Sequence, residues 1–256
     1  MKSLFSLAIL LVILSACGGK TQKEIKKEGT IPYSVKKIFP HDNKAFTQGL
    51  TVADGRLFES TGQAGSWIAE VDIATGNHNK KVILDKEYFG EGISILNRKI
   101  YQLTWKNHIG FIYDLTSFEK IGEFRYDHEG WGITHDGQNL IVSDGTSKIR
   151  FLDTLTLQPV KQIIVKDGEE EAEKLNELEF IDGFIFANQW QSNYILKIDP
   201  ATGLVVGRMD LSRLAEKIYP LNPSADVLNG IAYEKKSKSL LVTGKLWPAL
   251  FALKVD

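Results

Sequence analysis

Trp67-Ile68-Ala69-Glu70-Val71-Asp72, Ile109-Gly110-Phe111-Ile112-Tyr113-Asp114, Lys148-Ile149-Arg150-Phe151-Leu152-Asp153, Tyr194-Ile195-Leu196-Lys197-Ile198-Asp199 and Ala249-Leu250-Phe251-Ala252-Leu253-Lys254-Val255-Asp256 repeat one pattern, a run of alternating character closed by an aspartate. After the first four copies comes turn material, clearest in Ala74-Thr75-Gly76 and Ala201-Thr202-Gly203. There an aspartate side chain bonds the turn backbone and glycine takes a positive φ. Before each copy lies a more continuous apolar strand, such as Leu140-Ile141-Val142 or Phe184-Ile185-Phe186-Ala187, as expected of a strand buried on both faces. An earlier strand opens each unit at Gly49-Leu50, Gly92-Ile93, Gly132-Ile133, Leu178-Glu179 and Gly230-Ile231.

Units of about 40 to 50 residues built from antiparallel strands match the blade of a β-propeller. The expected fold is all-β, a five-bladed propeller in one ring. A fourth strand follows the turn in the first four units, at Lys81-Val82-Ile83-Leu84, Gly122-Glu123-Phe124-Arg125-Tyr126, Lys161-Gln162-Ile163-Ile164-Val165 and Gly207-Arg208-Met209-Asp210-Leu211. The fifth unit stops at Asp256 without one. Ser34-Val35-Lys36-Lys37-Ile38-Phe39 is expected to supply it, so that an N-terminal strand joins the C-terminal blade, closes the ring and pairs an open edge. Residues 167–175 and 212–225 break the period as insertions, and the run from Glu169 to Glu173 reads as a solvated face rather than a metal site.

Over 256 residues, 31 Lys plus Arg against 32 Asp plus Glu leave a formal charge of −1, without the basic block that a nucleic-acid binder needs. One cysteine, Cys17, excludes a disulfide framework and a Cys-ligated zinc site. Met1 and Lys2 followed by an apolar run to Ala16 read as a secretory signal, too short to span a membrane. Its end, Leu14-Ser15-Ala16-Cys17-Gly18, resembles a bacterial lipobox, which implies cleavage before Cys17 and lipidation of its thiol. The expected organisation is therefore a signal at 1–16, a flexible tether at 17–30 with lipidated Cys17, and a propeller domain at 31–256. Such a chain is an exported lipoprotein of the cell envelope, in the periplasm or on the outer surface, held to the membrane by its lipid alone. A plain signal with an incidental cysteine is the other reading.

In a propeller the innermost strands line a central channel, and the loops leading into them build a concave site at one end. Immediately before these strands sit Gln48, Glu91, Trp131, Glu177 and Asn229. The second strands leave toward Glu59-Ser60-Thr61-Gly62, Leu103-Thr104-Trp105-Lys106, Ser143-Asp144-Gly145-Thr146, Ala187-Asn188-Gln189-Trp190 and Thr243-Gly244-Lys245-Leu246-Trp247. Trp105, Trp131, Trp190 and Trp247 thus fall at blade ends, either as packing between blades or as pocket walls. Glu59, Gln48, Asn176 and Lys245 in matching loops favour a pocket. Histidines 41, 78, 108, 128 and 135 lack metal-ligand spacing, and neither a phosphate-binding glycine loop nor a Gly-x-Ser-x-Gly elbow occurs. No metal and no cofactor are expected.

Phe46-Thr47-Gln48-Gly49-Leu50, Phe58-Glu59-Ser60-Thr61-Gly62, Phe89-Gly90-Glu91-Gly92-Ile93, Leu103-Thr104-Trp105-Lys106, Glu129-Gly130-Trp131-Gly132, Asn176-Glu177-Leu178-Glu179, Leu228-Asn229-Gly230-Ile231-Ala232 and Thr243-Gly244-Lys245-Leu246-Trp247-Pro248 occur in the order found in the plant-type glutaminyl cyclases. From about Val35 to Asp256 the chain resembles this family, the glutamine cyclotransferases of plants and bacteria. The resemblance implies a five-bladed propeller, in agreement with the repeat. It also implies a reaction, in which an N-terminal glutamine closes on itself to pyroglutamate and releases ammonia, so the expected partners are peptides or proteins with N-terminal Gln.

That reaction needs a group that takes a proton from the attacking amine and returns it to the leaving amide nitrogen. Glu59 resembles the family's catalytic glutamate, and desolvation beside aromatic residues would raise its pKa toward a shuttle's range. By the same resemblance Phe46, Trp105 and Trp190, with Trp131, hold the glutaminyl side chain and ammonium, partly by cation–π attraction. Gln48, Asn176 and Lys245 hydrogen-bond the carboxamide, Lys245 best suited to the developing oxyanion. Glu177 and Glu91 are read either as substrate contacts or as braces between blade loops, with Asn229 and Trp247 as further structural support. Ser143-Asp144-Gly145-Thr146 has no aromatic and no assigned role. A monomer is expected. Two other classes remain open on the residues alone: a lipid-anchored propeller that only binds a peptide or sugar in an aromatic channel, and a calcium-dependent propeller lactonase.

Overall fold

The computed structural model describes residues 29–255; Cys17, the signal, most of the expected tether and Asp256 lie outside the described residues. Five four-stranded antiparallel units stand around one axis as a β-propeller. Blade 1 comprises Thr47–Ala53, Arg56–Thr61, Trp67–Val71 and His78–Ile83, and blade 2 Gly90–Leu96, Lys99–Thr104, Ile109–Asp114 and Lys120–Arg125. Blade 3 comprises Ile133–His135, Asn139–Ser143, Lys148–Asp153 and Pro159–Ile164, and blade 4 Leu175–Ile181, Phe184–Gln189, Tyr194–Ile198 and Val205–Asp210. In blade 5, Leu228–Glu234, Ser239–Gly244 and Ala249–Val255 take Tyr33–Pro40 as their outer strand, with Tyr33 opposite Val255 and Pro40 opposite Ala249.

Each of the four described repeat aspartates does what its turn demands. One carboxylate oxygen of Asp72 accepts the N–H groups of Ala74 and Thr75, Asp114 those of Thr116 and Ser117, Asp153 those of Leu155 and Thr156, and Asp199 that of Ala201. The insertions are ordered as well. Lys166–Asp167 and Glu170–Glu171 form a small hairpin, and Ser212–Ile218 is a helix. Gly29–Thr30, expected as tether, instead pairs in parallel with Gly207 and Arg208 at the outer edge of blade 4. The N-terminal segment therefore crosses from blade 4 to blade 5 and leaves a strand on each.

The core lies in five seams between blades. Phe58 and Ile68 of blade 1 meet Ile93 and Ile100 of blade 2; Leu103 meets Leu140 and Val142; Ile141 and Ile149 meet Leu178 and Ile185; Phe186 and Ile195 meet Leu240 and Phe251; Leu241 and Leu250 meet Leu50 and Leu57. Every blade buries both faces, which is why its second strand reads as a continuous apolar run. Each such side chain removed from water contributes roughly 1.5–3 kcal/mol before entropy is counted.

At the axis the inner strands run side by side in a ring, blade 1 against blades 2 and 5 and so around. Their backbones approach so closely that a side chain has no room at three points. A Cβ on Gly49 would stand 2.5 Å from Ile93 N, one on Gly92 2.7 Å from Ile133 N, and one on Gly132 would overlap Asn176 O. Blade 4 has Glu177 in this column instead. Its buried carboxylate lies across the axis, Oε1 accepting Leu50 N at 3.2 Å from blade 1 and Oε2 accepting Ile231 N at 2.7 Å from blade 5. Two residues on, Glu179 accepts Tyr233 N and burial pushes its carboxyl up to about 8. Replacing Gly132 by Ala is expected to cost about 3 kcal/mol by overpacking, a fall in Tm of roughly 6–12 °C by thermal unfolding. Gly122→Ala on the outer strand of blade 2, where a Cβ would meet only Ile112 at 3.6 Å, should leave Tm within about 2 °C.

Candidate active site

The channel mouth at the ends of these inner strands is a cavity of about 210 Å³ lined by Phe46, Gln48, Phe89, Glu91, Trp105, Trp131, Asn176, Trp190, Asp226 and Lys245. Backbone register explains why these residues meet. Leu50, Ile93, Ile133, Leu178 and Ile231 occupy one position in the five inner strands, opposite Glu59, Gln102, Val142, Ala187 and Val242. Two residues earlier stand Gln48, Glu91, Trp131, Asn176 and Asn229, of which the first four line the cavity. Pairing slips at this point in four blades, between Thr47 and Gly49, Gly90 and Ile93, Leu175 and Leu178, and Leu228 and Ile231. Such irregularities re-aim a side chain away from the regular alternation.

Three residues past the facing position of the second strands come Gly62, Trp105, Gly145, Trp190 and Lys245. The two glycines make room for a neighbour's ring: a Cβ on Gly62 would overlap Phe89, and one on Gly145 would stand 2.6 Å from the Trp131 indole. Around the wall Phe46 meets Phe89 edge-on at 6.3 Å, Phe89 meets Trp105 at 5.5 Å, and Trp131 meets Trp190 edge-on at 5.6 Å. Lys245 Nζ lies 4.7 Å from the centre of the Phe46 ring.

The polar groups are complementary. Burial drives the Glu91 carboxyl well above the usual carboxylate range, the nearby Lys245 ammonium opposes this, and the Glu129 charge adds to it. Burial lowers Lys245, with Glu91 and Asp226 pulling it back up. Ser60 of blade 1 fixes the backbone of Glu91, its Oγ donating to Glu91 O at 2.5 Å. Gln48 Oε1 accepts from Asn229 Nδ2 at 3.2 Å, which leaves the Gln48 amide N–H groups as donors. Asn176 Oδ1 is buried without a partner, an acceptor suited to an incoming N–H. Among the described residues no three His, Cys, Asp or Glu side chains gather as a metal site.

Of the residues expected from sequence, Phe46, Gln48, Glu91, Trp105, Trp131, Asn176, Trp190 and Lys245 line the cavity, and Glu59, Glu177, Asn229 and Trp247 do not. Glu59 does not line the cavity. It faces the seam between blades 5 and 1, where its Oε1 accepts from Thr47 Oγ1 at 2.7 Å and stands 3.1 Å from His41 Nε2, because it pairs opposite Leu50, a core residue of that seam. Glu177 lies below the cavity with both oxygens taken by backbone N–H groups, so it is a brace and not a wall. The buried carboxylate of the cavity is Glu91, expected from sequence as a contact or a brace, whereas Asp226, which also lines it, is exposed. Asn229 and Trp247 are supports: Asn229 Nδ2 donates to Thr47 O and Gln48 Oε1, while buried Trp247 donates its Nε1–H to Asp226 O at 2.8 Å. Sequence reasoning gave no role to Phe89 or Asp226. Phe89 has a readable signal, since it lies four residues before Ile93 as Phe46 lies before Leu50.

Residues 8–255 match the family described as glutamine cyclotransferase. The chain is 41% identical to the glutaminyl-peptide cyclotransferase of Arabidopsis thaliana over 221 residues, covering 85% of this chain and 69% of that protein. The crystal structure of Myxococcus xanthus glutaminyl cyclase superposes with a TM-score of 0.85 at 35% identity, covering 90% of this chain and 99% of that one.

The buried His41–Glu59 pair yields a stability prediction. Burial disfavours the imidazolium, but the charge and hydrogen bond of Glu59, together with the Trp247 carbonyl and the Asp42 charge, outweigh it and raise the His41 pKa above 6.5. A group with a raised basic pKa adds stability below its unfolded value, and this is lost as pH rises through the folded one. Glu59→Leu should therefore cost about 3 kcal/mol in denaturant unfolding at pH 6, and less at pH 8.

Proposed function

This chain belongs to the glutamine cyclotransferase family, and from that premise we propose that it is a glutaminyl-peptide cyclotransferase in which Glu91, not Glu59, moves the proton. The observation that carries this is a buried carboxyl with raised pKa at the floor of an aromatic cavity, beside a buried ammonium. A non-catalytic binding module needs no such carboxyl.

The substrate's N-terminal glutamine enters as a folded side chain between Phe46, Phe89, Trp105, Trp131 and Trp190. Its γ-carboxamide offers one acceptor oxygen and two N–H donors, which answer the Gln48 and Lys245 donors and the Asn176 acceptor. Ionised Glu91 takes a proton from the α-amine as its nitrogen attacks the γ-carbon. Negative charge gathering on the carboxamide oxygen falls to Lys245 and Gln48, in a site where a fixed donor is worth about 10²–10³ in rate. The same Glu91 then returns the proton to the amide nitrogen, which leaves as ammonia while the five-membered lactam closes. One carboxyl serves both transfers because both nitrogens are bonded to the same carbon in the intermediate. General acid–base catalysis contributes about 10²–10⁴, so the aromatic walls that fold the flexible side chain must supply much of the remainder through near-attack geometry.

The full chain is expected to release ammonia from Gln-Xaa peptides and yield the pyroglutamyl product, and Glu91→Gln to abolish this while keeping its Tm. Its kcat/KM profile should be bell-shaped and narrow, an acid limb above the usual carboxylate value of 4.5 from Glu91 and a basic limb below 10.5 from Lys245. An acid limb at 4.5, or full activity in Glu91→Gln, would refute the assignment.

The same reading includes the cell address. Leu14-Ser15-Ala16-Cys17 supports export and lipid anchoring of the enzyme to an envelope membrane, where exported proteins with a newly exposed N-terminal Gln are the natural substrates. Cys17→Ser should then move the protein from the detergent phase to the aqueous phase of a cell extract; an unchanged partition contradicts anchoring.

A further inference from the structure

Bonded to two rings of the cavity wall, without lining the cavity itself, is a carboxylate that takes no part in the proposed chemistry. Glu129 is only half-buried, yet its Oε2 accepts two indole N–H groups at once, from Trp105 Nε1 at 2.7 Å and from Trp131 Nε1 at 2.9 Å. Its Oε1 lies 3.8 Å from Lys106 Nζ, which itself sits 4.0 Å over the Trp105 ring. The two indoles belong to different blades. Trp105 follows the second strand of blade 2, and Trp131 precedes the inner strand of blade 3. Glu129 stands four residues before Ile133, the position that Phe46 and Phe89 hold before Leu50 and Ile93. Blades 1 and 2 place a phenyl ring there, whereas blade 3 places an acceptor and brings its ring from Trp131.

We propose that Glu129 is a positioning residue: its carboxylate locks Trp105 and Trp131 in register with each other, and so fixes the wall against which the substrate's glutaminyl side chain folds. A carboxylate is suited to this because it only accepts, and so answers two donors converging on one oxygen. Beyond these two rings, contacts pass on to Phe89 from Trp105 and to Trp190 from Trp131. One side chain therefore sets the aromatic wall on both sides. Its charge has a second effect, on Glu91. The groups that face Glu91 are the Lys245 ammonium, which lowers its pKa, the Glu129 carboxylate, which raises it, and the Tyr126 phenol, which burial holds up at about 12.

Three variants of the full-length enzyme separate these effects, the kinetic arms resting on the reading of Glu91 as base. Glu129→Leu removes acceptor and charge, and KM for a Gln-Xaa peptide should rise about tenfold or more with a smaller fall in kcat, since charged hydrogen bonds to both walls are lost. Glu129→Gln keeps an acceptor without the charge, so KM should largely recover while the acid limb of kcat/KM moves to lower pH. Glu129→Asp, the variant least disturbing to folding, keeps the charge but withdraws the acceptor by one methylene. It should raise KM and leave the acid limb in place. Independently of activity, two indole N–H signals in the ¹H–¹⁵N spectrum should shift in Glu129→Leu and stay near their wild-type positions in Glu129→Gln. Unmoved indole signals in Glu129→Leu, or a KM no worse there than in Glu129→Gln, would overturn the proposal. Failure of every variant and of the wild type to act on Gln peptides, with the indole shifts as expected, would overturn the assigned reaction and leave the clamp standing.

Discussion

Everything at the working end of this protein depends on how closely five backbone strands can approach one axis. At Gly49, Gly92 and Gly132 the strands touch backbone to backbone, and a single added carbon would collide with the next blade. Blade 4 departs from the rule with Glu177, which occupies the axis and ties blades 1 and 5 to itself through their N–H groups. Ring and plug are complementary. Without three glycines the circle does not narrow, and without the carboxylate two inward N–H groups are left buried and unpaired, each at a cost of about 1–3 kcal/mol.

That narrowing is also what builds the site. Because the strands are pinned at the glycine column, the residues just before it, Gln48, Glu91, Trp131 and Asn176, are the first with room for a side chain, and they point into the cavity mouth. Polar groups on one blade then hold the backbone of the next: Ser60 donates to Glu91 O, Ser143 to Asn176 O, and Asn188 accepts from Gly230 N. The site is thus rigid because of the seams and not because of its loops. A carboxyl and an ammonium buried together in such a place have their pKa values pushed toward each other, which suits proton transfer near neutral pH.

Much of this was legible in the chain. Five aspartate-closed runs led to five blades because an aspartate-capped turn leaves the same local trace each time it is used. Gln48, Trp105, Trp131, Trp190 and Lys245 were legible for the same reason, since they sit at repeat positions. Blade 4 hid the rest. With Glu177 standing where the other blades have glycine, aligning by the glycine-hydrophobe pair put Leu178-Glu179 in register and made Glu177, instead of Asn176, look like the partner of Gln48 and Glu91. The place of Glu59, which the resemblance puts in the site, is not legible for a different reason. It is two residues beyond Leu57 on a strand buried on both faces, and only the pairing with Leu50 tells that it turns toward His41 and a seam. Asp226 lies at the end of an insertion outside the repeat, so periodicity carries no information about it.

The central claim is that the α-amine of an N-terminal glutamine is deprotonated at Glu91 inside this cavity. Its most direct test is a crystal structure of the Glu91→Gln protein with an uncyclised glutaminyl dipeptide bound. The α-nitrogen is expected about 3 Å from the residue 91 side chain, with the γ-carboxamide oxygen toward Lys245 and its N–H toward Asn176. A dipeptide whose amine lies instead beside Glu59 and His41, or that binds outside the aromatic cavity, would contradict it.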